Sequence, residues 1–121
     1  MPVLVVDDYK SVTDVIERVL VAEGYVVYVC HTSKDALEYI NNNPKTRVAL
    51  IDLILPDLSG LELIKEIRKT NQTLYIIIMT GYADLLGKEN IEKAGANDLL
   101  IKPFSIQRLQ NIIKDIMKKL S

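Results

Sequence analysis

A chain of 121 residues, 49% apolar and 26% charged, has the composition of one globular domain with a real core, expected to span residues 1–121. Its formal net charge of −1 argues against a protein held on nucleic acid or on an anionic membrane, since both need a basic excess. Cys30 and His31 are the only cysteine and the only histidine, which excludes a disulfide, a zinc cluster and a His-dependent triad.

The elements follow in chain order. Val3 to Val6 is a β-branched run and reads as strand one, closed by Asp7 and Asp8. Helix one carries Val12, Val15, Ile16, Val19 and Leu20 at helical spacing, with Glu17 and Arg18 outside, and Gly24 stops it. Tyr25 to Cys30 reads as strand two. Thr32 or Ser33 caps helix two, which turns Ala36, Leu37 and Ile40 inward and frays at the asparagines before Pro44. Arg47 to Asp52 is strand three, apolar enough to be buried on both faces, and a turn with Pro56, Asp57 and Gly60 follows. Asp57 reads as a turn former with Pro56.

Ser59 caps helix three, with Glu62 in a capping-box position, Leu61, Ile64 and Ile67 on one face and Leu63 on its flank. Leu74 to Met79 is a second wholly apolar strand, left through Thr80-Gly81-Tyr82. Helix four is expected from about Asp84 to Ala94, with Gly87 inside it and Gly95 and Asn97 ending it. Asp98 to Ile101 is strand five, followed by Lys102-Pro103-Phe104. Ser105 caps helix five, whose stripe is Leu109, Ile112, Ile113, Ile116 and Leu120, with Lys114, Lys118 and Lys119 toward its C-terminal end. No apolar run approaches the ~18 residues of a membrane span, and the N-terminus does not read as a secretory signal, so the cytoplasm is the expected compartment.

Five strands alternating with five helices predict an α/β, doubly wound parallel sheet of flavodoxin-like type, order 2-1-3-4-5. That order makes strands one and three neighbours, so Asp7, Asp8 and Asp52 meet in one crevice at the carboxyl ends of the strands. Three carboxylates so placed repel one another, and a hard divalent cation relieves this; Mg²⁺ suits best, because it takes few protein oxygens and keeps room for water and phosphate. Lys102 adds an ammonium and Thr80 a hydroxyl at two further strand ends. A cation, an ammonium and a hydroxyl around one carboxylate suit phosphoryl transfer to that carboxylate. Taken singly, each residue has an ordinary reading as a cap, a turn or a loop; it is their joint placement that points to chemistry.

The segments V-V-D-D (5–8), I-D-L-I-L-P-D-L-S-G (51–60), M-T-G-Y-A-D (79–84) and D-L-L-I-K-P-F (98–104) together resemble the receiver domain of bacterial two-component response regulators over nearly the whole chain. The resemblance implies that Asp52 is the phosphoacceptor, supplied by a histidine kinase or histidine phosphotransfer protein. It implies that Asp7, Asp8, Asp52 and the Ile54 backbone carbonyl hold Mg²⁺, that Thr80 and Lys102 bind the phosphoryl oxygens, and that the peptide before Pro103 is cis. It further implies that the chain is no enzyme beyond its own phosphorylation and slow dephosphorylation. Partner binding would switch toward an output domain or protein, with a phosphorylation-dependent homodimer as one form of that output.

The kinase-side partner would dock near helix one and the loop after strand five, where Phe104 is a candidate contact. Leu99 departs from the family, which carries Tyr or Phe three residues before the lysine. A phosphorylation-independent interaction module of receiver fold is therefore an alternative. A Mg²⁺ phosphohydrolase is a weaker one, because Ile54 occupies the place of its second carboxylate. Ile54 and Tyr82, both bulky and without a carboxylate or amide, predict slow self-dephosphorylation.

Overall fold

The computed structural model describes residues 2–81 and 88–121. The elements run β1 (Pro2–Val6), α1 (Lys10–Ala22), β2 (Val26–Cys30), α2 (Ser33–Asn42), β3 (Val48–Asp52), α3 (Gly60–Arg68), β4 (Tyr75–Thr80), α4 (Lys88–Lys93), β5 (Asp98–Ile101) and α5 (Ile106–Leu120). The strands form one parallel sheet, as expected from the alternation, and its order is the β2-β1-β3-β4-β5 of the expected flavodoxin-like class. Of the helix predicted over 84–94, Lys88–Lys93 is described; its first residues, with Tyr82, lie outside the described residues.

Strand periodicity divides the core in two. Leu4, Val6, Ala49, Ile51, Ile76 and Ile78 point to the side covered by α2, α3 and α4. Val3, Val5, Leu50, Ile77 and Met79 point to the side covered by α1 and α5. Burial on both faces is why β3 and β4 read as continuous apolar runs rather than alternating ones.

Among the described residues, three helices begin at side-chain caps. Thr32 Oγ1 accepts from the Asp35 N–H (3.1 Å), Ser59 Oγ from Glu62 N–H (3.2 Å) and Ser105 Oγ from Arg108 N–H (3.0 Å). Gly24 (φ 95°) and Gly95 (φ 102°) take the left-handed conformation just after α1 and α4, where a side chain would be strained.

Two helices are rotated from the expected faces. In α1 the buried stripe is Thr13, Ile16 and Leu20, while Val15 is exposed. Thr13 can be buried because its hydroxyl donates to the Lys10 carbonyl (3.1 Å). In α3 the buried residues are Gly60, Leu63, Ile64 and Ile67, and Leu61 lies on the flank. Gly60 sets that rotation. A Cβ there would run into the Asp52 carbonyl oxygen and lie 2.9 Å from Leu53 Cα, so only glycine lets α3 start against the end of β3.

Candidate functional site

The register of the sheet builds the site. Val6 pairs with Ile51, so Asp7 and Asp52 emerge side by side from β1 and β3. Asp52 pairs with Met79 and Thr80 with Ile101, so Thr80 and Lys102 each stand one residue further along as the sheet is crossed. Asp8, Tyr9, Asp52, Ile54, Thr80, Gly81 and Lys102 line one cleft at this end of the sheet. Asp7, Asp52 and Thr80 are buried, Asp8 is exposed, and Ile54 is 55% exposed.

One carboxylate oxygen from each of Asp7, Asp8 and Asp52 lies within 4.8 Å of the others. Lys102 Nζ donates to Asp7 Oδ2 at 2.7 Å and to Asp52 Oδ2 at 3.3 Å. Three carboxylates against one ammonium leave two negative charges, which a divalent cation balances. An all-oxygen donor set of this kind fits Mg²⁺ rather than a softer metal.

The charges mark each other. Burial pushes the Asp52 carboxyl above its ordinary range, the Asp7 charge adds to this, and Lys102 pulls against both. Burial disfavours the Lys102 ammonium, but the hydrogen bond to Asp7 and the Asp52 and Asp7 charges outweigh it and raise its pKa. Asp52 Oδ1 also faces the Ile54 N–H at 3.4 Å. Asp7 Oδ1 accepts from the Tyr9 N–H (3.0 Å), where the chain enters α1. The Lys102–Pro103 peptide is cis.

The expected site residues Asp7, Asp8, Asp52, Ile54, Thr80 and Lys102 thus share one end of the sheet. Sequence reasoning missed two neighbours. Tyr9 stands at the cleft and is 64% exposed. Asp57 does more than shape a turn: its carboxylate accepts from the Ser33 N–H (2.8 Å) and the Lys34 N–H (2.9 Å) of α2. Desolvation raises the Asp57 carboxyl, and the N–H groups of Ser33, Lys34, Asp57 and Leu58 together overcome it, bringing its pKa down to about 2. The clue in sequence is slight, an acidic residue after Pro56, because its partners lie 23 and 24 residues away.

The model of the response regulator receiver domain family matches residues 3–114. The chain belongs to this family. Among curated relatives, the receiver domain is 38% identical over 112 residues to the DNA-binding transcriptional regulator NtrC of Proteus hauseri, covering 93% of this chain and 24% of that one. It is 34% identical over 123 residues to the response regulator MprA of Mycobacterium sp. strain KMS, covering 100% of this chain and 53% of that one. It thus spans a quarter to about half of the length of these relatives.

Among solved structures, the receiver domain matches a response regulator receiver domain protein (CheY-like) from Methanospirillum hungatei JF-1. The TM-score is 0.85 at 32% identity, over 98% of this chain and 94% of that one. A receiver domain from Methylobacillus flagellatus gives 0.84 at 30% identity, over 96% and 98%. Within this receiver domain, Leu99 is partly buried against the core on the α2, α3 and α4 side, as an aliphatic packing residue.

Proposed function

We propose that this receiver domain accepts a phosphoryl group on a carboxylate oxygen of Asp52 from a histidine kinase or histidine phosphotransfer protein. The phosphorus–nitrogen bond of the donor imidazole breaks as the phosphorus–oxygen bond to Asp52 forms, and the freed imidazole takes up a proton. The reading rests on the convergence of Asp52, Thr80 and the Lys102 ammonium in one cleft, with Asp7 buried behind it on Lys102.

Lys102, already bridging Asp7 and Asp52, turns from the carboxylates to the incoming phosphoryl oxygens and offsets their charge. The Thr80 hydroxyl donates to another of them. Asp7, Asp8 and Asp52, with the Ile54 carbonyl, would hold Mg²⁺. The ion supplies charge neutralisation for the transferred group.

Partner recognition has a candidate surface next to the cleft. Ser11, Val12, Val15 and Ile16 of α1 face Pro103 and Phe104 across a groove that reaches Lys102. The exposed Val15 belongs to this groove. A phosphodonor seated there would lie beside the lysine. Phosphorylation then shifts the population between two conformations, read by an output domain or protein of the same cytoplasmic pathway or by a second copy of the chain. No direct contact with nucleic acid or membrane is proposed for this domain. It is not an enzyme acting on other substrates.

Leu99 favours a second reading, a phosphorylation-independent interaction module, because an aliphatic side chain lacks the ring whose inward swing the family uses. Incubation with acetyl phosphate and Mg²⁺, followed by intact-protein mass, separates the two. One added phosphoryl group that is absent from Asp52→Asn supports the receiver chemistry. An unchanged mass, under conditions that label another receiver, supports the interaction module.

A further inference from the structure

The loop from β3 to α3 is tied down where it starts and where it ends. The Leu53 N–H donates to the Met79 carbonyl (3.0 Å), and the Gly60 N–H donates back to the Leu53 carbonyl (2.7 Å). Leu55 is buried beneath it. A further tie comes from outside, from the first turn of α2. Both oxygens of Asp57 are used, one on the Ser33 N–H (2.8 Å) and the other on the Lys34 N–H (2.9 Å). The buried Ser33 hydroxyl donates to the Leu58 carbonyl (2.7 Å).

These two N–H groups are among those a helix start leaves without intrahelical partners. A third, that of Asp35, is taken by Thr32. The first turn of α2 is therefore capped twice, locally by Thr32 and from a distance by Asp57. The distant cap ties the helix to the loop that carries Ile54. The Asp57 charge is also held at the positive end of α2 rather than added to the cleft as a fourth carboxylate.

We infer that Asp57 and Ser33 are positioning residues for the acidic cleft, fixing the loop after Asp52 so that its backbone is set to receive the divalent cation. This rests on the proposed function. A ligating group must be held within about 0.5 Å of its working place, so the loop that carries it needs its backbone fixed by partners outside the site. The three hydrogen bonds from α2 give it to a loop segment whose residues 56–58 are otherwise exposed.

The test is a Mg²⁺ titration of the folded chain, followed by backbone amide shifts, on the wild type and on Asp57→Ala, Asp57→Asn, Ser33→Ala and Thr32→Ala. Thr32→Ala is the control, because it removes a cap from the same helix turn without touching the loop. The expected result is Mg²⁺ binding weakened roughly tenfold in Asp57→Ala, the low end of the loss for a ligand's direct partner, because Asp57 acts through the loop backbone. Ser33→Ala weakens it less, Asp57→Asn recovers part of the loss through its one acceptor oxygen, and Thr32→Ala matches the wild type.

Wild-type affinity in Asp57→Ala, or an equal loss in Thr32→Ala, would overturn the inference and leave Asp57 an ordinary helix cap. Should Asp57→Ala not fold, the comparison of Ser33→Ala and Asp57→Asn with Thr32→Ala decides by the same criterion. A wild type that binds no Mg²⁺ would overturn the proposed cation site itself, and the inference with it.

Discussion

Lys102 places its ammonium closer to Asp7 than to Asp52, at 2.7 Å against 3.3 Å. Asp7 is the most deeply buried carboxylate of the site, at 0% exposure. The lysine therefore has a structural duty, neutralising a charge that water cannot reach, beside the one proposed for it in phosphoryl transfer. Removing one partner of a buried pair costs far more than the pair contributes net.

Lys102→Met should lower unfolding stability by about 3 kcal/mol when Mg²⁺ is chelated. Excess Mg²⁺ should restore part of that loss, because a cation bound only by the folded state stabilises it and takes over the neutralisation. Urea unfolding with EDTA and with Mg²⁺ measures both. An equal loss under the two conditions would separate the lysine from the metal site.

Asp52→Asn should act in the opposite direction. It removes one of three carboxylates whose oxygens lie within 4.8 Å, and Lys102 keeps Asp7 as its closer partner. With Mg²⁺ chelated, the variant should be more stable than the wild type by about 1 kcal/mol, as at other sites where function opposes stability. Thermal unfolding at neutral pH reads this directly, and a destabilised variant would contradict it.

Gly60→Ala should be costly although only one methyl is added. That methyl meets backbone atoms, the Asp52 carbonyl oxygen and Leu53 Cα, which cannot rotate away. Destabilisation of about 3 kcal/mol is expected, at the upper end of overpacking. Because the obstructed carbonyl belongs to Asp52, phosphorylation by acetyl phosphate should slow as well, and intact-protein mass over time would show it.

Asp57 gives a pH signature. Its folded-state pKa of about 2 lies below the ordinary aspartate value of 3.8, so its contribution is fully present above the unfolded value and is lost as pH falls through the folded one. The stability difference between the wild type and Asp57→Asn should be constant above about pH 5 and close between about pH 4 and 2. Denaturant midpoints of both proteins across that range test it. A difference that does not change with pH would show the charge to be unimportant.

Ile54 stands exposed in the cleft two residues after Asp52 and offers no group to orient an attacking water. The phosphorylated form is expected to persist for minutes or longer. Ile54→Asn should speed its loss by about tenfold, less than a fully positioned general base contributes. Decay of the phosphorylated mass after removal of the donor gives both rates. A wild-type lifetime of seconds, unchanged in the variant, would refute the role given to Ile54.

The amino-acid sequence by itself determined the order and kind of the elements. The apolar runs ending at Asp52 and Met79, the caps Ser59 and Ser105, and the polar residues at the strand ends are all consequences of local backbone preference and burial period. Those act over a few residues and need no knowledge of neighbours. The alternation of strands and helices then restricted the topology enough to bring Asp7, Asp52 and Lys102 together on paper.

What only the tertiary structure decided is rotation and partnership. An apolar stripe on a helix is wide enough that its centre is set by what it packs on. Hence Thr13 rather than Val15 is buried in α1, and Gly60, pressed against the Asp52 carbonyl, turns Leu63 inward and Leu61 to the flank. The same holds for Asp57. Its carboxylate is spent on the start of α2, more than twenty positions back in the chain, and no local pattern encodes a bond whose two ends meet only after the sheet has formed.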